Sequence, residues 1–434
     1  MRAYLTGTDI ECFGSAPMLF GRGAVRHARR CASEGLRRAV AGVLFRAMTQ
    51  YPRPEDPPAL HERLFTIDTH FDTPTASLPK AGWDFGARHD YADDGSQCDL
   101  PRMAQGGLDA AVFAAYFTQG ARSPAGHAAA TAAVRKILER THAVVAANSA
   151  ACGLALTAGA ALQLKTEGKR AIFFSIENAY SLGTDAGAVR EFYDLGVRMI
   201  GLTHMLNNEL ADASTDPRGT EWAGLSPLGR AVLAECNRLG IAVDASHASD
   251  AALAQLLKLS TAPVILSHSG CRAVCDHPRN IGDDLLRALA ARGGVIQINA
   301  LPVALTLQRD HGARTAAVDA ILARFRDEVV TPEVRAAAGA AWTEFERTFP
   351  PAQATLEDFV AHAVHAVAVA GIDHVGIGCD LDGGGGGFAG LRDVADYPGI
   401  TRELVKRGFC DEDLAKIWGG NTLRLLRAVQ GAAA

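Results

Sequence analysis

The chain has 434 residues, 48% of them hydrophobic, and sets 43 Lys and Arg against 48 Asp and Glu for a formal net charge of −5. A chain this long and apolar buries roughly 75% of its extended-chain surface, which excludes a mainly disordered or low-complexity protein. The mild negative excess argues against a dedicated nucleic-acid surface, which needs a basic face.

Residues 1–62 read as an N-terminal extension and linker, with the main domain at 63–434. The extension is Arg-rich, and Arg29-Arg30 and Arg37-Arg38 precede a short apolar run at 39–45. An export signal is one reading. Arg46 interrupts the run almost at once and no clean small-residue cleavage site follows, so an amphipathic surface helix over 31–50 is preferred, and with it a cytoplasmic protein. Tyr51-Pro-Arg-Pro-Glu-Asp-Pro-Pro58 reads as a linker that cannot be helix or central strand, because its prolines lack donors. The nine cysteines are scattered, odd in number and without a CxxC pair, which fits reduced thiols. No run of 18 apolar residues is present, so no membrane span is expected.

From Leu64 a short apolar run, a polar or Gly-marked turn and a helix-period segment recur. The runs lie at 65–71, 110–117, 171–176, 199–203, 241–245, 264–266, 295–298 and 374–378. Helical stretches fall at 128–147, 227–239, 251–259, 283–291 and 356–370. Near-continuous apolar strands separated by helices indicate parallel pairing, and eight such units close into a (β/α)8 barrel of the α/β class. An open doubly wound sheet is disfavoured, since no Gly-rich phosphate fingerprint follows the first strand. The longest insertion, from Leu301 to about Thr355, follows strand 7; its 316–329 portion is predicted helical, and it could lie over the barrel mouth. The five glycines at 383–387 read as a flexible loop.

The ends of the strands carry the chemistry. The first gives Asp68-Thr-His70-Phe-Asp72, whose alternation sets His70 and Asp72 on one face. The third ends at Glu177, the fourth at His204, the fifth at His247, the sixth at His268 and the eighth at Asp380. A lone His after a strand is commonly a hydrogen-bonded cap. Six such coincidences at one barrel edge, where active sites sit in this fold, are not credible. Buried imidazoles and carboxylates suit Zn2+ or a similar divalent ion. Four His and three carboxylates exceed one open tetrahedral site, so two metals sharing a carboxylate fit better. His362, His365 and His374 read as structural.

These segments resemble the membrane (renal) dipeptidase family of metallopeptidases. The resemblance is carried by Asp68-Thr-His-Phe-Asp72, Ile176-Glu-Asn-Ala-Tyr180, Leu195-Gly-Val-Arg-Met-Ile-Gly-Leu-Thr-His204, Gly224-Leu-Ser-Pro-Leu-Gly229, the run ending Val243-Asp-Ala-Ser-His247, Pro263-Val-Ile-Leu-Ser-His268, Cys275-Asp-His-Pro-Arg-Asn280 and Gly371-Ile-Asp-His-Val-Gly-Ile-Gly-Cys-Asp-Leu-Asp-Gly383. It runs in order from about Leu64 to Val429. It implies an amidohydrolase-like barrel with two Zn2+: His70 and Asp72 on one, His247 and His268 on the other, Glu177 bridging. His204 would stabilise charge on the substrate carbonyl oxygen, Arg279 would hold the terminal carboxylate, and Asp380 would manage the proton. Cys379 and Leu381 depart from the family's usual small-polar and aromatic residues around that Asp. The C-terminus, Gln430-Gly-Ala-Ala-Ala434, carries no lipid-anchor signal.

The chemistry agrees with these roles: a water held between two Zn2+ is acidified to a pKa of about 7 and attacks the amide carbonyl, while Asp380 serves as base and then acid. The expected partner is a small dipeptide, with a homodimer compatible with the family. The alternatives are a metal-dependent N-acyl amino acid deacylase or lactonase on the same barrel and, more remotely, an inactive ligand-binding barrel.

Overall fold

Strands that are apolar along their whole length must be covered on both faces, and here they are. In a computed structural model, which describes residues 56–433, eight parallel strands hydrogen-bond in chain order: β1 Ile67–Phe71, β2 Ala110–Tyr116, β3 Arg170–Glu177, β4 Val197–Gly201, β5 Ala242–Asp244, β6 Ile265–Cys271, β7 Val295–Ile298 and β8 Val375–Ile377. The cylinder closes at its C-terminal mouth, where Phe71 bridges Leu381 and the Asp72 amide donates to the Leu381 carbonyl at 3.0 Å. All eight predicted strands are present. The largest difference is β6, which runs on to Cys271, and two short strands add to the edges: Cys152–Leu154 on β3 and Asn280–Ile281 on β6.

Helices α1 Pro124–Ala147, α2 Pro227–Leu239, α3 Asp250–Leu259, α4 Asp283–Ala291, α5 His311–Phe325, α6 Pro332–Thr348 and α7 Leu356–Ala370 cover the outside or cross the mouth. Their starts follow from local chemistry. Ser123, Ser226, Ser249, Thr331 and Thr355 each accept a hydrogen bond from a first-turn amide, and a proline follows three of them. Under the barrel, Val112, Phe173, Met199 and Ile265 pack with Leu423, Leu426 and Val429 of the C-terminal helix Asn421–Gly431.

Three expectations need correction. Pro57 and Pro58 open a helix, Pro57–Arg63, capped by Asp56; in the first turn the missing N–H groups have no partner to lose. His61 of this helix is buried, bonded to Thr401 Oγ1 at 2.7 Å and to the Gly106 carbonyl at 2.9 Å. The glycine run is a close-packed loop rather than a flexible one: a Cβ on Gly385 would lie 1.9 Å from the Cys379 carbonyl oxygen, and Gly384, Gly386 and Gly387 have positive φ. The insertion after β7 holds a second long helix, α6, beside the predicted one. The predicted helix over 31–50 and the export reading fall outside the described residues. Among the described residues, Cys98, Cys152, Cys236, Cys271, Cys275, Cys379 and Cys410 are buried free thiols, and no helix is long and apolar enough to cross a membrane.

Candidate metal and substrate site

A strand that ends at a barrel rim delivers its last side chain into the mouth, so six strand ends meet there. Glu177, at the end of β3, lies among the imidazoles. Its Oε2 is 3.6 Å from His70 Nε2, and its Oε1 is 3.1 Å from His247 Nε2 and 3.5 Å from His268 Nε2. His70 Nε2 also lies 3.3 Å from Asp72 Oδ2 and 3.8 Å from Asp380 Oδ1. All six groups are buried. They form three overlapping sets able to hold a cation: His70, Asp72 and Glu177; Glu177, His247 and His268; and His70, His268 and Asp380.

Electrostatics favours a cation here. His247 and His268 are held well below the ordinary imidazole range, by burial first and then by neighbouring cationic groups including Arg279, so both are neutral and ligand-ready. Burial opposes charge on His70, but Glu177 and Asp72 outweigh it and raise its pKa well above normal. The Asp380 carboxyl is pushed well up, by burial and then by Asp72 and Glu177, although His70 and Arg279 oppose. Three carboxylates around one imidazole need a positive charge. A proton on His70 is one solution and a bound divalent ion is the stronger one. His70 Nε2 and His247 Nδ1 have no hydrogen-bond partner although buried. The residues therefore fit the metals the sequence implies.

Backbone devices aim these groups. The β1–β2 register shifts between Asp68 and Phe71, and the β6–β7 register between Leu266 and Ser269, so irregularities flank His70 and His268. His247 (φ 68°), Asp380 (φ 63°) and Asn178 (φ 65°), next to Glu177, adopt left-handed conformations uncommon for non-glycine residues. Asp244 Oδ2 accepts from Ser267 Oγ at 2.5 Å, which leaves Ser267 Oγ to accept from His268 Nδ1 at 2.8 Å. That relay fixes the His268 tautomer with its Nε2 lone pair toward Glu177. Asp68 acts likewise at the β1–β8 seam, taking the amides of His70 and Cys379 at 3.0 and 2.9 Å and the Tyr397 hydroxyl at 2.5 Å.

The remaining predicted residues border the same cavity. His204 Nε2 is 3.9 Å from Glu177 Oε1, and its Nδ1 is 3.3 Å from the Tyr116 hydroxyl. Burial lowers the His204 pKa, with Arg279 adding to the effect, so it is neutral. The Arg279 side chain is buried and tethered to the His268 carbonyl at 3.1 Å, and no carboxylate lies within salt-bridge distance of it among the described residues. Gly383 approaches so closely that a Cβ there would meet Asp72 Oδ2 at 2.2 Å and Asp380 Oδ1 at 2.3 Å. Sequence reasoning missed Tyr116, Asp244, Ser267, Gly383 and the second roof helix, α6, although it did set a helical insertion over the mouth. The motifs Asp68-Thr-His and Asp244-Ala-Ser-His did hold a signal: an acid two or three residues before a His at a strand end. His362, His365 and His374 stand apart from this cluster, each bonded to a backbone carbonyl or a surface acid.

The sequence pattern of the membrane dipeptidase family (peptidase family M19) matches residues 55–434. Dipeptidase tcpJ of Claviceps purpurea is 30% identical over 340 residues, covering 77% of this chain and 70% of that protein. Dipeptidase verJ of Clonostachys rogersoniana is 32% identical over 338 residues, 76% of each. Among solved structures, the probable dipeptidase PvdM from Pseudomonas aeruginosa superposes with a TM-score of 0.75 at 30% identity, covering 87% of this chain and 98% of that one. A metallopeptidase from Rhodobacter sphaeroides, liganded with a phosphinate mimic of L-Ala-D-Ala, shares the fold at 22% identity with a TM-score of 0.66, over 84% and 99% of the two chains.

Proposed function

The chain belongs to the membrane dipeptidase family of metallopeptidases, and on that premise we propose that it is a binuclear zinc dipeptidase cleaving small dipeptides, L-Xaa-D-Xaa among them. One observation carries the reading: Glu177 turns one carboxylate oxygen toward His70 and the other toward His247 and His268. A carboxylate presented that way suits a bridge between two ions. His70 and Asp72 would hold one, His247 and His268 the other. When bound, such ions supply Lewis acidity, polarising the scissile carbonyl and acidifying a water.

The chain's own groups do the rest. Arg279 offers a guanidinium fork to the substrate's terminal carboxylate, a bidentate match that a lysine would not reproduce. That contact sets the scissile carbonyl beside His204, which, as a neutral imidazole, donates a hydrogen bond to the oxygen as negative charge develops there. Asp380, made more basic by burial and by Asp72 and Glu177, accepts the attacking water's proton and delivers it to the leaving amine.

The test is turnover of L-Ala-L-Ala, L-Ala-D-Ala and N-acetyl-alanine, with metal content measured on the same sample. Hydrolysis of the dipeptides by a chain carrying two zinc ions, abolished by chelation and restored by Zn2+, is expected. Turnover of N-acetyl-alanine alone would replace this reading with the deacylase, and less than one metal per chain would remove the binuclear site.

A further inference from the structure

A helical hairpin that buries almost none of its own side chains needs another reason to carry apolar ones. Helices α5 and α6 contribute one buried residue between them, Arg314. Val318 and Leu322 of α5 and Trp342 and Phe345 of α6 are half-buried and line the cavity that also contains Glu177, His204, Arg279 and Asp380. Trp342 and Phe345 meet edge to face, ring centroids 5.7 Å apart, a stiff aromatic wall. The hairpin is pinned across the mouth: its turn accepts the Ala121 amide at the Glu328 carbonyl, 2.8 Å away, and Arg335 lies over the Phe117 ring at 5.1 Å.

The cavity measures about 720 Å3, in the range of pockets that hold drug-sized ligands (roughly 300–1,000 Å3) and more than two alanines fill. Its exposed lining is predominantly apolar. Apolar surface held open to water is unfavourable until something covers it. Among the described residues nothing fills this space, and because the cavity is continuous with the metal-type cluster, a molecule bound at the cluster would set a side chain against the apolar lining.

We infer that the α5–α6 roof is a specificity pocket for a large apolar side chain, aromatic or long aliphatic, on one residue of a dipeptide substrate. The inference rests on the dipeptidase reading above and names its substrate class. Asp319 and Glu346 also line the cavity and have no ion-pair partner within 4.0 Å among the described residues, so a cationic side chain is the competing occupant.

The test compares kcat/KM of the zinc-loaded full chain for L-Ala-L-Ala, L-Phe-L-Ala, L-Ala-L-Phe, L-Lys-L-Ala and L-Ala-L-Lys. The better Phe dipeptide should exceed Ala-Ala by about 30-fold, as burial of a large apolar group in a pocket gives. Trp342→Ala and Phe345→Ala should pull that ratio toward one. Thr343→Ala, on an exposed position of α6 outside the cavity, should leave it. Neither pocket variant removes a buried residue, so folding is retained. A second readout is the change in fluorescence when a phosphinate isostere of Ala-Phe binds, taken as wild type minus Trp342→Phe. A Phe-to-Ala ratio near one, or a Lys dipeptide preferred, overturns the pocket while leaving the dipeptidase intact. If no dipeptide is cleaved, the dipeptidase reading fails, and absence of the Trp342 signal then overturns the pocket as well.

Discussion

Gly383→Ala separates activity from stability more sharply than any change of a charged residue. Gly383 does not have a positive φ, so alanine fits its backbone. The new methyl, however, would sit 2.2 Å from Asp72 Oδ2 and 2.3 Å from Asp380 Oδ1, where contacts under 3.0 Å are not tolerated. Each carboxylate oxygen must retreat by about 0.7–0.8 Å. Both are side-chain ends bordering the cavity, so folding should lose no more than about 1 kcal/mol. Catalysis is less forgiving, since a 1 Å misplacement of reacting groups costs about 100-fold, or about 2.7 kcal/mol of transition-state stabilisation. The expected result is a kcat/KM for L-Ala-L-Ala down by about two orders of magnitude, reduced zinc content and a nearly unchanged Tm. Gly385→Ala is the contrast: its Cβ would lie 1.9 Å from the Cys379 carbonyl oxygen, a backbone atom that cannot swing aside, so that variant should lose Tm. Wild-type kcat/KM within threefold for Gly383→Ala, at full metal content, would refute the reasoning.

Other perturbations probe the same construction. His247→Ala should abolish turnover while Cys271→Ala changes little; equal activity of the two variants would sink the site assignment. Ser267→Ala breaks the relay from Asp244 to His268 and should weaken zinc retention roughly 10–100-fold in a competition with a chelator; undiminished retention would show that the relay does not orient the ligand. His362 is buried, with Nδ1 accepting from the Cys271 amide at 2.9 Å and Nε2 donating to the Leu305 carbonyl at 3.0 Å. Burial pulls its pKa down to about 4, with His365 adding and Asp358 opposing. The unfolded chain therefore binds the extra proton first, and His362 favours the folded state fully above about pH 6.5, losing that contribution as pH falls toward 4. The loss amounts to about 3 kcal/mol. Denaturant unfolding of wild type and His362→Gln should show a shallower pH dependence for the variant across that window, and parallel curves would refute it.

The strand ends were legible because a parallel barrel maps chain order onto one rim: the residue that ends each apolar run must face the mouth. That rule needs no knowledge of loops, and it delivered His70, Asp72, Glu177, His204, His247, His268 and Asp380 to within a few ångströms of one another. What it could not deliver depends on segments distant in sequence. Gly383 matters because it touches Asp72, more than three hundred positions away, and Asp244 matters because it reaches the neighbouring strand at Ser267. The glycine run read as slack for the same reason, since nothing in five consecutive glycines says that the Cys379 carbonyl lies where a Cβ would go.

The hairpin is a different case, and it bears on function: its place over the mouth and its first helix were read from the sequence, but its second helix and the direction of its apolar face were not. Val318 and Leu322 are four apart and Trp342 and Phe345 three apart, a spacing that puts each pair on one helical face. Ordinarily such a face signals burial against protein. Here it turns to an open cavity, so the pattern that announces a core helix marks instead a surface with no protein partner among the described residues. Periodicity reports only that a face is apolar; it does not say whether the complement belongs to the chain or to its substrate. Where a segment carries that face, hydrogen-bonds its turn to a loop across the barrel mouth and buries no apolar side chain among the described residues, a bound molecule is the complement that the proposed pocket calls for.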